Sequence, residues 1–189
     1  MATLEHVEPV ARLIAAITQQ TLVLMQIQAA LDKPQLGLLV TTPGTVRVYC
    51  NRDRCPGALW YTVPNGEPVP LDAKAIRGYV RDLRFEQVER RGKPTWKLYT
   101  FIDCGGSSYE LESGHESVFS KGLLSAIASM EPSRLSQPLS VGVAPGDDES
   151  VLLCRVWGPD NAPIFARWDE GADWRAIAQR AIAVVKQSA

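Results

Sequence analysis

K-A-I-R-G-Y-V-R-D-L-R-F-E-Q-V-E, residues 74–89, is the stretch on which the fold turns. Apolar and charged residues alternate along it, the pattern of a strand with one face on a core. The alternation changes phase partway. Ile76 and Val80 occupy even positions, whereas Leu83 and Phe85 occupy odd ones. Side chains switch faces at every residue of a strand, so all four reach one core only if an extra residue is inserted. The phase break predicts a β-bulge near Arg81-Asp82, with Gly78 easing the bend, in one long strand from about Lys74 to Glu89.

Downstream, Arg90-Arg91-Gly92-Lys93-Pro94 makes a basic turn into a second strand over 95–103. Gly105-Gly106 turns the chain into a third, Ser108 to Glu112. Ser117 to Met130 reads as a helix, with Val118, Leu123, Leu124 and Ile127 apolar and Ser117 or a neighbour as its cap. Leu139 to Val143 and Val151 to Trp157 are the fourth and fifth strands, and Ile164 to Trp168 is a candidate short extra one. Ala172 to Lys186 closes as a helix, with Trp174, Ile177, Ala181, Ile182 and Val185 on one side.

Upstream, residues 4–32 carry a helical stripe. Its seven-residue spacing runs through Val10, Ile17, Leu24 and Leu31, while Thr21 and Gln28 interrupt the partner positions. Packing on the body is the preferred reading, with a dimer seam as the alternative. Thr45 to Tyr49 and Ala58 to Val63 read as a hairpin, and Pro64 to Pro70 as a loop. The expected organisation is an N-terminal helix (1–36), a hairpin and Pro-rich loop packed on the body (37–71), a β-rich body (72–168) and a C-terminal helix (169–189).

The 189 residues are 46% hydrophobic and 22% charged, which argues against wholesale disorder. No apolar run reaches the length of a membrane span. M-A-T-L-E-H-V-E-P-V, residues 1–10, lacks the basic start of a signal peptide, so the cytoplasm is the expected compartment. Net charge is −1, but it is unevenly placed: residues 47–97 hold 11 Lys/Arg and 6 Asp/Glu, a net of +5, against −6 for the rest. Such a segment can present a local positive face, or its arginines can be spread over several solvated faces.

Cys50 and Cys55 stand in C-N-R-D-R-C-P-G, a spacing compatible with half of a zinc site. The second half is missing, because Cys104, Cys154 and His115 stand far apart. The preferred reading is a hairpin with small apolar thiols, with no metal or cofactor. P-loop, G-x-S-x-G, H-E-x-x-H and Rossmann fingerprints are absent from the sequence. His115, Glu116 and Ser117 are too close in sequence to act as a triad and read as a helix-capping loop, so the protein is not expected to be an enzyme.

Three meandering strands, a helix and two further strands resemble the order of elements in an OB-fold, a five-stranded Greek-key barrel. The fold class expected is therefore mainly β with flanking helices, an OB-like barrel over 72–168 with its helix between strands three and four. The resemblance is to OB-folds of the single-stranded DNA-binding type and implies a binding face on strands two and three. A single-stranded nucleic-acid site needs cations along the phosphates and flat side chains under the bases. Arg77, Arg81, Arg84, Arg90, Arg91, Lys93 and Lys97 offer the first, and Trp96, Tyr99 and Phe101 the second. Tyr109 is interleaved with them, and Trp60, Tyr61, Arg52 and Arg54 either extend the groove or cover a barrel end.

The platform depends on register. With Leu98, Thr100 and Ile102 on the core, Lys97, Tyr99 and Phe101 face outward together; in the opposite register the two rings are core residues. Glu110 and Glu112 must lie off any groove for phosphates. The primary expectation is a non-catalytic protein that binds single-stranded DNA, or RNA. The alternative is a protein-interaction or accessory subunit that uses the barrel and terminal helices, including a homodimer through the N-terminal helix.

Overall fold

The inserted residue is where the phase break demands it: the pairing of the long strand with its successor shifts between Val80 and Asp82. Val80 and Leu83 are consequently both buried, and Ile76 and Phe85 pack against the same core. The computed structural model describes residues 14–25, 44–52, 54–90 and 92–188. The chain divides into two units, Met1–Thr42 and Pro43–Ala189.

In the first unit, helix α1 covers 14–25, and its apolar residues Ile14, Ile17, Leu24 and Met25 are exposed. The rest of the helix expected over 4–32 lies outside the described residues. Among the described residues no helix is long and apolar enough to cross a membrane.

Among its described residues the second unit is mainly β, with three α-helices and a short 3-10 turn at Pro64–Gly66. Its strands are β1 (Thr45–Tyr49), β2 (Tyr61–Thr62), β3 (Val69–Pro70), β4 (Ala75–Arg90), β5 (Lys93–Asp103), β6 (Ser108–Gly114), β7 (Leu139–Pro145), β8 (Leu152–Trp157) and β9 (Pro163–Ile164). Helices α2 (Val118–Ala128) and α3 (Pro132–Leu135) lie between β6 and β7, and α4 (Trp174–Ser188) follows β9. The strands form one mixed sheet in the order β3-β2-β1-β6-β5-β4-β7-β8-β9. The order is linear, and among the described strands no ladder joins β6 to β8.

Several local expectations change. The Ala58–Val63 strand shrinks to β2, which meets β1 only at Tyr49 and Tyr61. Instead β1 runs parallel to β6 along its whole length, from Thr45 beside Ser108 to Tyr49 beside Glu112. Such a pairing joins segments about sixty residues apart and leaves no local pattern. The strand expected over Ile164–Trp168 is only Pro163–Ile164, because pairing with β8 ends at Ile164. Trp60 is a core residue, its indole N–H donating to the Ala73 carbonyl at 2.7 Å, so it extends no groove. Tyr61 is buried as well, and stacks on Tyr49 at a centroid distance of 5.2 Å.

Gly78 is the pivot of β4. Residues 75–78 pair with β7, and pairing with β5 begins at Tyr79. A Cβ on Gly78 would lie 2.5 Å from the Asp103 carbonyl oxygen and 2.7 Å from Ile102 Cγ2. Backbone oxygen cannot yield as a flexible side chain can, so Gly78→Ala is expected to cost about 1–3 kcal/mol of stability. Urea denaturation measures it; an unchanged midpoint would mean that the two sheet halves are not wedged together here.

The core lies between the inner face of the sheet and the helices. Helix α2 packs on β8 and α4, and α4 on β4 and α3. Phe119, Leu123 and Ile127 of α2 are fully enclosed. The expected cap is formed: Ser117 Oγ accepts from the Ser120 N–H at 3.2 Å. The Ser120 hydroxyl bonds Ser113 Oγ at 2.7 Å and donates to the Gly114 carbonyl at 2.6 Å, so these hydroxyls of α2 and β6 satisfy one another in the core, whereas the buried Ser125 Oγ of α2 has no partner among the described residues.

Candidate nucleic-acid interface

Register puts Leu98, Thr100 and Ile102 on the core, each at most 1% exposed. Lys97, Tyr99 and Phe101 therefore share the outer face of β5. Cross-strand pairing then sets what surrounds them. Glu110 stands beside Phe101 on one flank and Arg47 on the other. Glu112 stands beside Tyr99 and Tyr49. The two carboxylates expected off the groove are thus at its centre, and the reason is the parallel insertion of β1 next to β6.

These carboxylates hold the cations of the face. Arg47 Nε donates to Glu110 Oε2 at 2.5 Å, and Arg84 Nη2 reaches Glu110 Oε1 at 3.5 Å. Lys97 Nζ lies 3.2 Å from Glu112 Oε1. Arg84 is further paired with Asp82 at 3.4 Å and Glu86 at 3.6 Å. Each aromatic ring is covered in turn, with Arg84 over Phe101 at 4.3 Å and Arg47 over Tyr99 at 5.3 Å. Lys97 and Tyr99 are consequently buried on the side away from the core.

Ionisation follows this packing. Burial opposes the Arg47 charge, but the hydrogen bond and charge of Glu110, with smaller help from Tyr99 and Glu112, outweigh it and hold its pKa above the ordinary value. Burial first, then the charge of Glu112, raises the Tyr99 pKa, with Arg47 acting against them. The phenol therefore stays protonated.

Of the remaining predicted residues, Arg90 joins this cluster, lining a small concavity of about 220 Å³ with Lys97, Glu112, Tyr61 and Arg54, whereas Arg77, Arg81, Lys93 and Trp96 are not in that lining. Arg77 is tied to the 159–161 turn, donating to the Pro159 carbonyl at 2.8 Å and Asn161 Oδ1 at 2.9 Å. Arg81 lies over Tyr79 and pairs with Asp103 at 3.7 Å. Arg90 and Lys93 face each other at the tip of the β4–β5 hairpin, both exposed. Trp96 is 44% exposed, and Arg91 lies outside the described residues. A phosphate arriving here meets guanidinium and ammonium groups already paired with carboxylates, and displacing them would leave the buried Glu110 and Glu112 charges uncompensated.

Chemistry of the expected kind occurs elsewhere. A groove of about 400 Å³ runs between α2, β8 and the segment after β9. Its lining includes Arg155, Arg167, Trp157, Phe165 and Trp168, and no carboxylate. Both arginines are exposed, and among the described residues neither has an ion-pair partner. Phe165 is 74% exposed, an unusual state for a large ring with nothing upon it. Gly122 forms part of the floor; a Cβ there would stand 3.3 Å from Cys154 Cβ, so its absence lets β8 approach the helix closely. Asp169 and Glu170 follow Trp168 but do not line the groove.

Sequence reasoning missed this groove because its five decisive residues are spread over 155–168 without periodicity. A hint was available: the segment F-A-R-W, 165–168, interleaves rings and a cation. The thiols offer no comparable site. Burial, then Cys154 and Glu112, push the Cys50 thiol pKa well up, and burial does the same to Cys154. Among the described residues no three His, Cys, Asp or Glu converge to hold a metal ion. Compared with known protein families, with curated proteins and with solved structures, the chain finds no match.

Proposed function

We propose that the protein is a non-catalytic binder of single-stranded nucleic acid, with DNA the first ligand to test, and that the strand lies in the groove along 153–168. The observation that carries this reading is the groove's lining: two arginines free of carboxylates beside three aromatic side chains, one of them exposed. Cations without internal partners are the ones available to phosphates, and exposed rings the ones available to bases. The fold is read as an opened relative of the OB barrel. Support comes from β4 pairing with both β5 and β7 and from α2 intervening between β6 and β7. Fold likeness alone licenses no function, so the weight rests on the groove.

Fluorescence anisotropy of a labelled single strand of roughly thirty nucleotides, long enough for one or two OB footprints, tests the proposal. Micromolar or tighter binding that weakens with salt and disfavours a duplex control is expected. Absence of binding at low salt would overturn it.

The exposed apolar residues of α1 support a second reading, an interaction protein that pairs with a second copy of itself. Ile17 and Leu24, spaced by one heptad, are 54% and 66% exposed. Residues 13–31 carry no charged side chain, so two copies bring no like charges together. Light scattering after size exclusion is expected to show a dimer, and Ile17→Glu with Leu24→Glu a monomer. A monomeric wild type over the accessible concentration range would dismiss the seam.

A further inference from the structure

Beyond the nucleic-acid groove, a second cavity of about 390 Å³ opens between α2 and α4. Phe85, Leu124, Trp174, Ala178 and Ile182 give it apolar walls. Its polar lining holds two cations, Lys121 and Arg175, together with His115, Glu116 and Gln179. The Lys121 ammonium lies 5.1 Å from the ring centre of Trp174 and 5.7 Å from that of Trp168. Those two indoles meet edge to face at 5.2 Å, which braces the ring beneath the cation.

Charge accounting separates this cavity from the sheet face. There, Arg47, Arg84 and Lys97 are each paired with carboxylates. Here, among the described residues, neither Lys121 nor Arg175 has a carboxylate within ion-pair distance. The one acid of the lining, Glu116, has a side chain 82% exposed and lies 3.6 Å from His115 Nε2. A ring face attracts a cation but leaves its charge uncompensated. An apolar pocket of this size with one or two convergent charges is the usual form of a small-ligand site.

We propose that this cavity binds a small amphipathic anion, an apolar body of medium-chain or aryl size carrying one carboxylate. The body would displace water from the Phe85–Ile182 walls, and the carboxylate would pair with Lys121 and Arg175. A highly charged phosphate ester does not suit walls so largely apolar, which sets this ligand apart from the strand proposed for the neighbouring groove.

The test titrates the full chain with decanoate, 2-naphthoate and decan-1-ol, each below its aggregation range, following tryptophan fluorescence and heat. Saturable binding of at least one carboxylate is expected, with decanol at least tenfold weaker than decanoate if the aliphatic acid is the ligand. Naphthoate binding alone would identify an aryl acid. Lys121→Gln should weaken carboxylate binding about fivefold or more. Ala178→Trp, which fills the cavity, should abolish it. Should Ala178→Trp misfold by circular dichroism, Lys121→Gln decides. No saturable binding of either acid, equal affinity for decanoate and decanol, or an unchanged affinity in Lys121→Gln would overturn the proposal. None of these results depends on whether the protein binds nucleic acid.

Discussion

A variant with Arg155→Ala, Arg167→Ala and Phe165→Ala is expected to lose at least a hundredfold in affinity for a single strand while melting within a few degrees of wild type. The three side chains are exposed, and among the described residues neither arginine carries an ion pair whose loss would cost stability. Each removed phosphate contact lowers the slope of log affinity against log salt by about 0.7 for single strands, so losing both arginines should flatten it by about 1.4. A stacked base contributes about 1–3 kcal/mol, which is what Phe165 would forfeit. The paired cations supply the control. Arg84→Ala and Lys97→Ala remove groups already engaged by Glu110 and Glu112, and binding should change little. If the control variants abolish binding and the triple variant does not, the strand lies on the outer sheet face and the groove assignment is wrong.

The second large effect is on stability. Phe119→Ala should lower the unfolding free energy by about 3–5 kcal/mol, as large-to-small changes in close-packed cores do. Phe119 is fully enclosed at the start of α2, where the helix meets the sheet. Its turn is pinned by the Ser117 cap and the Ser113–Ser120 pair, so the backbone has little freedom to collapse into the void. Equilibrium denaturation in urea reads the loss directly, and a change below about 1 kcal/mol would mean that α2 is not the keystone of this core. Ligand affinity per folded molecule should survive if the groove's floor at Gly122 keeps its place.

The nucleic-acid readout and the structure part company at Glu110 and Glu112. Counting charges along 47–97 found a basic segment and was correct as a count. It could not say that the arginines of that segment would be matched by glutamates from 110–112, because the match is made across strands. Arg47 meets Glu110 only because β1 enters the sheet in parallel beside β6. By contrast, Arg155 and Arg167 belong to the acidic remainder of the chain, yet the fold gathers them where the lining has no carboxylate. Local potential is a property of positions in space, and net charge per segment is a poor guide once strands from distant segments interleave.

What the amino-acid order determined alone was whatever depends on near neighbours. The phase break between Val80 and Leu83 demanded a bulge, since side-chain direction in a strand has period two. The Ser117 cap, the Gly105 turn and the apolar stripes of α2 and α4 depend on residues within a turn or two of one another. The choice of core face on β5 was narrowed to two registers and no further. Tertiary structure chose between them, placed β1 against β6, buried Trp60 and left Phe165 in solvent. Those outcomes are settled by contacts between residues tens of positions apart, formed only when burying the whole core offsets the entropy of closing the loops between them.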